Sequence, residues 1–259
     1  MLLIRLLVII SIPVISAADA ADCPRKDVLG TSRVLAVDAK TFPRVGLKSF
    51  PQTLPLANKE VVLTFDDGPF PRTTPKVLAA LASECVQATF FMIGRSAEAY
   101  PEIVKKIAAA GHSIGHHTWS HPTLSRIDHT AALTEIDRGI EADELALHGA
   151  AKSDPPARFF RFPGFASTPS LLESLKSRRM TVFGADLWAS DWNVMSPRQE
   201  LRLLTSRLDS AGKGIILLHD TKIQTAKMLP AFLQYLRKNS YKVVHVVPAK
   251  ASQSSSDEK

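Results

Sequence analysis

Glu60-Val61-Val62-Leu63-Thr64-Phe65-Asp66-Asp67-Gly68-Pro69 is a run of β-branched and aromatic residues that ends on two adjacent carboxylates and a Gly-Pro turn. Its apolar part, 61–65, predicts a short strand. Working outward, runs of the same kind recur at 88–93, 112–116, 158–162, 180–185, 214–218 and 242–247. Between them lie longer amphipathic stretches, predicted as helices over 74–84, 97–110, 128–148, 168–179, 196–210 and 223–239. Ser96 and Thr168 are placed to cap helix starts, Pro75, Pro169 and Pro197 suit first turns, and Gly111 suits the end of the helix before it. Strict alternation of short strands with helices predicts an α/β fold on a parallel sheet, open or closed into a (β/α) barrel of about seven strands in a single domain.

The chain has 259 residues, 45% of them hydrophobic and 22% charged, so it has both the length and the apolar content for a substantial core. A formal charge of +7 favours anionic surroundings such as a cell envelope or an acidic polymer. No Lys/Arg run interleaved with aromatics occurs, which argues against nucleic acid as a partner. Arg5, the apolar stretch 6–15 and the small residues Ala18-Asp19-Ala20 form a signal-peptide pattern over 1–20, with cleavage expected after Ala20. Ser11 and Pro13 interrupt the stretch, which is short for a membrane span, so a secreted or periplasmic chain without a stable span is expected. Asp22 before Cys23 disfavours lipidation. Cys23 and Cys85, the only cysteines, permit one disulfide in an oxidising compartment; their sequence positions leave open whether they meet. Residues 21–58 are expected to form an arm packed on the surface, 59–248 the folded domain, and 249–259, rich in serine and charge, a disordered tail.

Five polar stretches fall at predicted strand ends, where α/β proteins build their sites. Asp66 and Asp67 close the first strand. Three histidines crowd Gly115-His116-His117-Thr118-Trp119-Ser120-His121-Pro122, and the four-residue spacing of His117 and His121 puts both imidazoles on one side of a turn or compact loop. With Asp67 they make a two-imidazole, one-carboxylate set suited to a divalent metal, leaving Asp66 free as a base. Arg161, in Arg158-Phe159-Phe160-Arg161-Phe162-Pro163-Gly164-Phe165, and Asp191, in Asp186-Leu187-Trp188-Ala189-Ser190-Asp191-Trp192, are expected to pair near that base, with Trp192 lining a groove. Gly214-Ile215-Ile216-Leu217-Leu218-His219-Asp220 ends a buried strand on His219, a candidate general acid beside Leu217.

Taken together, these motifs resemble in kind and order the polysaccharide deacetylases of carbohydrate esterase family four, which include nodulation-type chitooligosaccharide deacetylases. The likeness runs from about Val61 to Val247. It implies a distorted (β/α) barrel, with Asp66 as catalytic base and Asp67, His117 and His121 as ligands of Zn²⁺ or another divalent metal such as Co²⁺. It also implies that Arg161 orients the base, Asp191 holds that arginine, Leu217 lines an acetyl pocket and His219 acts as acid. A backbone N–H placed at Gly164 would help bind the oxyanion. The implied reaction releases acetate from an N-acetylated polysaccharide or oligosaccharide of β-linked N-acetylglucosamine, of chitooligosaccharide or peptidoglycan type. O-acetyl groups or a cyclic imide are alternatives on the same scaffold; an inactive carbohydrate-binding protein would be expected to lack one of the motif residues, and all are present. Two departures, Gly164 and then Phe165 after Pro163, and Trp188 three residues before Asp191, fall in the implied substrate groove.

Overall fold

The computed structural model describes residues 27–150 and 157–249. The signal-peptide pattern, Cys23 and all but the first residue of the expected tail lie outside them. Strands β1 (Thr31–Val37), β2 (Arg44–Val45), β3 (Glu60–Asp66), β4 (Thr89–Met92), β5 (Ser113–His116), β6 (Phe159–Phe160), β7 (Thr181–Phe183), β8 (Leu187–Trp188), β9 (Gly214–His219) and β10 (Lys242–Pro248) form one sheet. Every strand pairing in it is parallel. Helices α1 (Thr74–Ser83), α2 (Gly94–Ala99), α3 (Pro101–Ala109), α4 (His129–His148), α5 (Pro169–Ser177), α6 (Pro197–Ala211) and α7 (Ile223–Lys238) intervene. All seven predicted strands form, and so do the predicted helices. One of them is divided: Pro101 starts α3 directly after the turn of α2 at Tyr100. Ser96 lies inside α2 and does not cap it, whereas Thr168 accepts from the Leu171 N–H at the start of α5 as expected.

The sheet curls into a distorted barrel in the order β8-β9-β3-β4-β5-β6-β7, and no β7–β8 pairing closes it among the described residues. Alternation of side chains along a strand sorts residues between two cores. On β3, Val61, Leu63 and Phe65 face outward and pack with Ile216 and Leu218 of β9 against Leu229, Phe232 and Leu233 of α7. Val62, of the opposite parity, joins Ile215, Phe91, Phe159 and Phe183 inside the barrel. Thr64 and Asp66 share Val62's parity, and they lie level with Leu217 and His219 on β9. The chemistry therefore emerges from the barrel axis at the C-terminal ends of the strands.

The expected surface arm is instead part of the core. β1 runs parallel to β10, β2 parallel to β7, and Val37, Val45, Leu54 and Leu56 are buried with Val244 and Val246 in the inner cluster. The physical reason is that β10 joins β3 only at Lys242 and Val243, so its other edge offers unpaired backbone groups that β1 satisfies. Arg33 of β1 fixes this closure, donating from Nε and Nη2 to both carboxylate oxygens of Glu60 at 2.8 and 2.7 Å. Cys85, after α1, is disulfide-bonded. No helix among the described residues is long and apolar enough to cross a membrane.

Candidate active site

Asp67 follows β3 directly, in a left-handed conformation (φ 77°) unusual for a residue with a Cβ, and its N–H is held by the Phe91 carbonyl of β4. His117 follows β5, its N–H held by the Met92 carbonyl. The stretch from His117 to His121 is a compact loop with Thr118 and His121 also left-handed at φ 66°. Helix α4 clamps that loop from behind. Glu135 accepts from the Ser120 N–H and hydroxyl at 2.8 and 2.9 Å, and its carbonyl accepts from the Trp119 N–H. Gly139 lets the helix come so near that a Cβ there would lie 2.5 Å from the Thr118 carbonyl carbon.

The result is a cluster in which one ligand atom from each of Asp67, His117 and His121 lies within 4.8 Å of the others. The Nε2 atoms of His117 and His121 stand 3.6 and 3.4 Å from Asp67 Oδ1. His117 Nδ1 sits 2.7 Å from the Arg161 carbonyl, which makes Nδ1 the protonated nitrogen and aims the Nε2 lone pair into the cluster. Burial holds this imidazole neutral, its pKa pushed down to about 3. Asp67 Oδ1 is buried and has no hydrogen-bond partner. A neutral, oriented imidazole and an unpartnered buried carboxylate oxygen are what a divalent cation requires, so the donor set fits one. His116, one residue before His117, has the opposite parity; it points outward and meets Asp143 of α4 at 2.7 Å.

Asp66 is buried at the cluster's edge. Its Oδ1 accepts from Arg161 Nη1 at 2.6 Å, while Oδ2 lies 3.8 Å from His117 Nε2. Burial pushes the Asp66 carboxyl upward, and the Arg161 guanidinium opposes that rise. Arg161, itself fully buried, spends its remaining donors on Thr64 Oγ1, the Phe183 carbonyl and the Gly184 carbonyl, and stacks on Phe91 with Cζ 4.2 Å from the ring centroid.

The expected Arg161–Asp191 pair does not form. Asp191 belongs to His219: Oδ1 pairs with imidazole Nδ1 at 2.7 Å, and Oδ2 accepts from the His219 N–H at 2.7 Å and from Thr225 Oγ1 at 2.8 Å. With Arg161 saturated by four other acceptors and Asp191 by these donors, neither has a group left for the other. Burial works against charging His219, but the carboxylates of Asp191, Asp66 and Asp67, with Asp191 foremost, together outweigh it and push the pKa up to about 9. Nε2 of His219 faces Asp67 Oδ2 at 4.0 Å.

Leu217 is buried one layer below His219. Trp192, nearly half exposed, meets the His219 ring edge-on at 6.0 Å, and Trp188 and Phe165 continue the aromatic line at 5.9 and 6.1 Å. Gly164 is exposed on the rim next to Phe165 in a short 3-10 turn (φ 56°). Sequence reading passed over Thr64, Glu135, Thr225 and Asp220. Thr64 was legible from its parity with Asp66. The two helix residues carry no signal beyond ordinary helical polarity. Asp220 follows His219; it is buried under Gly68 and accepts a hydrogen bond from Thr74.

A distorted (β/α) barrel with an Asp-His-His cluster, an arginine-held carboxylate and a carboxylate-held imidazole at its C-terminal rim has the framework of a metal-assisted hydrolase. The polysaccharide deacetylase family model matches residues 54–183, and the chain belongs to that family. It is 36% identical over 162 residues to a chitooligosaccharide deacetylase of Azorhizobium caulinodans, covering 62% of this chain and 73% of that protein. It is 53% identical over 91 residues to a peptidoglycan-N-acetylglucosamine deacetylase of Bacillus cereus, covering 35% of this chain; the match takes in about a third (32%) of that longer protein. In three dimensions it is similar to a peptidoglycan deacetylase of Bdellovibrio bacteriovorus, with a TM-score of 0.75 at 30% identity, over 90% of this chain and 63% of that one.

Proposed function

We propose that the protein is a metal-dependent N-deacetylase of β-linked N-acetylglucosamine polymers or oligomers, of chitooligosaccharide or peptidoglycan type. The observation that carries this reading is the convergence of Asp66, Asp67, His117, His121 and His219 on one face, with Asp66, His117 and His219 each held by a second partner: Arg161, the Arg161 carbonyl and Asp191. Asp67, His117 and His121 would hold Zn²⁺ or a similar divalent cation such as Co²⁺. When bound, such an ion supplies a Lewis acid for the acetamide carbonyl and lowers the pKa of water.

The remaining roles fall to the chain's own groups. Arg161 fixes Asp66 Oδ1 and leaves Oδ2 to take the proton of the attacking water. Water oxygen bonds to the acetamide carbon, the carbon–nitrogen bond breaks, and the leaving nitrogen takes the proton of His219. Acetate and a free amine are the products. Asp191 keeps His219 charged and oriented for that transfer. Leu217 would line the methyl pocket, Trp192 and Phe165 the sugar groove, and the Gly164 N–H would face the developing oxyanion. The signal-peptide pattern supports action outside the cytoplasm, where such glycans lie.

The test is acetate release from N-acetylglucosamine oligomers by the purified chain, after chelation and after Zn²⁺ is restored, beside Asp66→Asn. Release that needs metal and is lost in the variant supports the reading. No release from N-acetyl substrates, with release from O-acetylated ones, would overturn it.

A further inference from the structure

The rim of the site is chemically lopsided. Trp188 at the end of β8 and the loops following β6 and β8 present the aromatic line of Phe165, Trp188 and Trp192. The segments following β3, β4 and β9, with the first turns of α1 and α2, present cations. A groove leaving Asp67 and His121 is bordered by Arg95 and Lys222, and beyond Phe70 a cavity of about 560 Å³ is lined by Arg72, Thr73, Lys76 and Lys222. No acidic residue lines that cavity, and none of the four cations makes a side-chain hydrogen bond or ion pair among the described residues. The nearby carboxylate of Asp220 is fully buried, its Oδ2 bonded by Thr74 and its Oδ1 without a hydrogen-bond partner.

Two further features of the cavity favour an anion. Helix α7, sixteen residues long, starts at its edge with Lys222 as N-cap and no side-chain cap, so its positive end is open there. Thr73, only 2% exposed, is the N-cap of α1, yet its hydroxyl caps nothing and has no hydrogen-bond partner. A buried donor without an acceptor is costly, and Thr73 is one of the residues that line this cavity.

Resting on the deacetylase reading, we infer that this cavity is an anion subsite of the substrate groove, and that the glycan strand it takes carries carboxylate groups. The aromatic side then stacks sugar rings while the cationic side holds an acidic substituent of the same strand. A strand of neutral N-acetylglucosamine alone would leave four unpaired cations and the Thr73 hydroxyl without a role.

The experiment compares three substrates of equal length: a neutral N-acetylglucosamine oligomer, a glycan strand bearing carboxylates, and the same strand with its carboxylates methyl-esterified. The zinc-loaded wild-type chain is set beside Arg72→Gln/Lys76→Gln, whose side chains are exposed, so the fold should tolerate the change. The expected result is a kcat/KM about tenfold higher on the acidic strand than on its ester, a ratio that shrinks with added salt and collapses in the double variant. Equal kcat/KM on acid and ester, or a ratio that survives the double substitution, would overturn the subsite. If no substrate releases acetate, the deacetylase reading fails by itself. Titration calorimetry on the metal-stripped chain then decides the subsite: tighter binding of acid than ester in wild type only supports it, and equal binding overturns it.

Discussion

Asp191 grips His219 at two points, pairing Oδ1 with the imidazole Nδ1 and accepting the backbone N–H at Oδ2, both at 2.7 Å. The grip fixes where the ring sits and which nitrogen faces Asp67. It also contributes most to the charge: burial would discharge the ring, and Asp191, helped by Asp66 and Asp67, reverses that and lifts the pKa to about 9. In metal-stripped Asp191→Asn, burial is opposed only by the Asp66 and Asp67 carboxylates, and the His219 titration is expected to fall well below about 9. NMR of the imidazole Cε1–H against pH reads this directly. Turnover of the metal-loaded variant is expected to drop about 100-fold, the scale of losing a positioned acid. An unchanged titration would show that Asp191 does not govern His219.

Arg161 is buried with Asp66 as its one ion-pair partner among the described residues. Replacing it with Met leaves the Asp66 carboxylate buried without its hydrogen-bonded counter-charge, and also leaves the Phe183 and Gly184 carbonyls without their donors. Breaking one side of a buried pair typically costs about 3–5 kcal/mol, so Arg161→Met should unfold at markedly lower urea than wild type at pH 7. Asp66 is held ionised less firmly without the guanidinium, so part of the deficit should shrink as the pH is lowered and the carboxyl protonates. A deficit that is flat with pH would mean that packing on Phe91, and not charge, is what Arg161 contributes.

Gly139 and Glu135 position the histidine loop without touching a ligand atom. Gly139→Ala drives a methyl to 2.5 Å from the Thr118 carbonyl carbon, so the loop between His117 and His121 has to shift. Glu135→Gln weakens its hold on Ser120. Zinc affinity measured by competition with a chelator should fall about 10–100-fold in Gly139→Ala and less in Glu135→Gln, the range found for groups that support metal ligands from behind. Wild-type affinity in Gly139→Ala would mean that the loop sets its own geometry.

How far the site was legible follows strand parity. Period-two alternation assigns Thr64 and Asp66 to one side and separates His116 from His117, and β3, β4, β6 and β9 show their runs of aliphatic or aromatic residues, whereas β5 has only Ile114. Partner choice across the barrel was not legible. Arg161 and Asp191 each end up near the same site, and only the sector in which the loop after β8 comes down gives Asp191 to His219 instead of to the arginine. β2 and β8, of two residues each, are too short to leave a periodic trace, and β1 exists because β10 has a free edge to fill. These are tertiary facts with no local signal.

Arg33 and Glu60 tie β1 to the start of β3 through a two-point ion pair. The Arg33 guanidinium holds the Glu60 carboxyl below its ordinary 4.5, despite opposition from burial. Because the folded pKa is depressed, the native state takes up this proton less readily than the unfolded chain. The stabilisation is therefore fully present above about pH 4.5 and is lost as the pH falls through the folded value. Arg33→Gln should cost about 1 kcal/mol at pH 7, a modest figure because the guanidinium is more than a third exposed and screened by solvent. Urea unfolding of wild type and variant at pH 7 and at steps below 4.5 measures the gap. It should narrow toward zero at the acid end, and a gap that persists there would show that Arg33 acts by packing along β1 instead of by its charge.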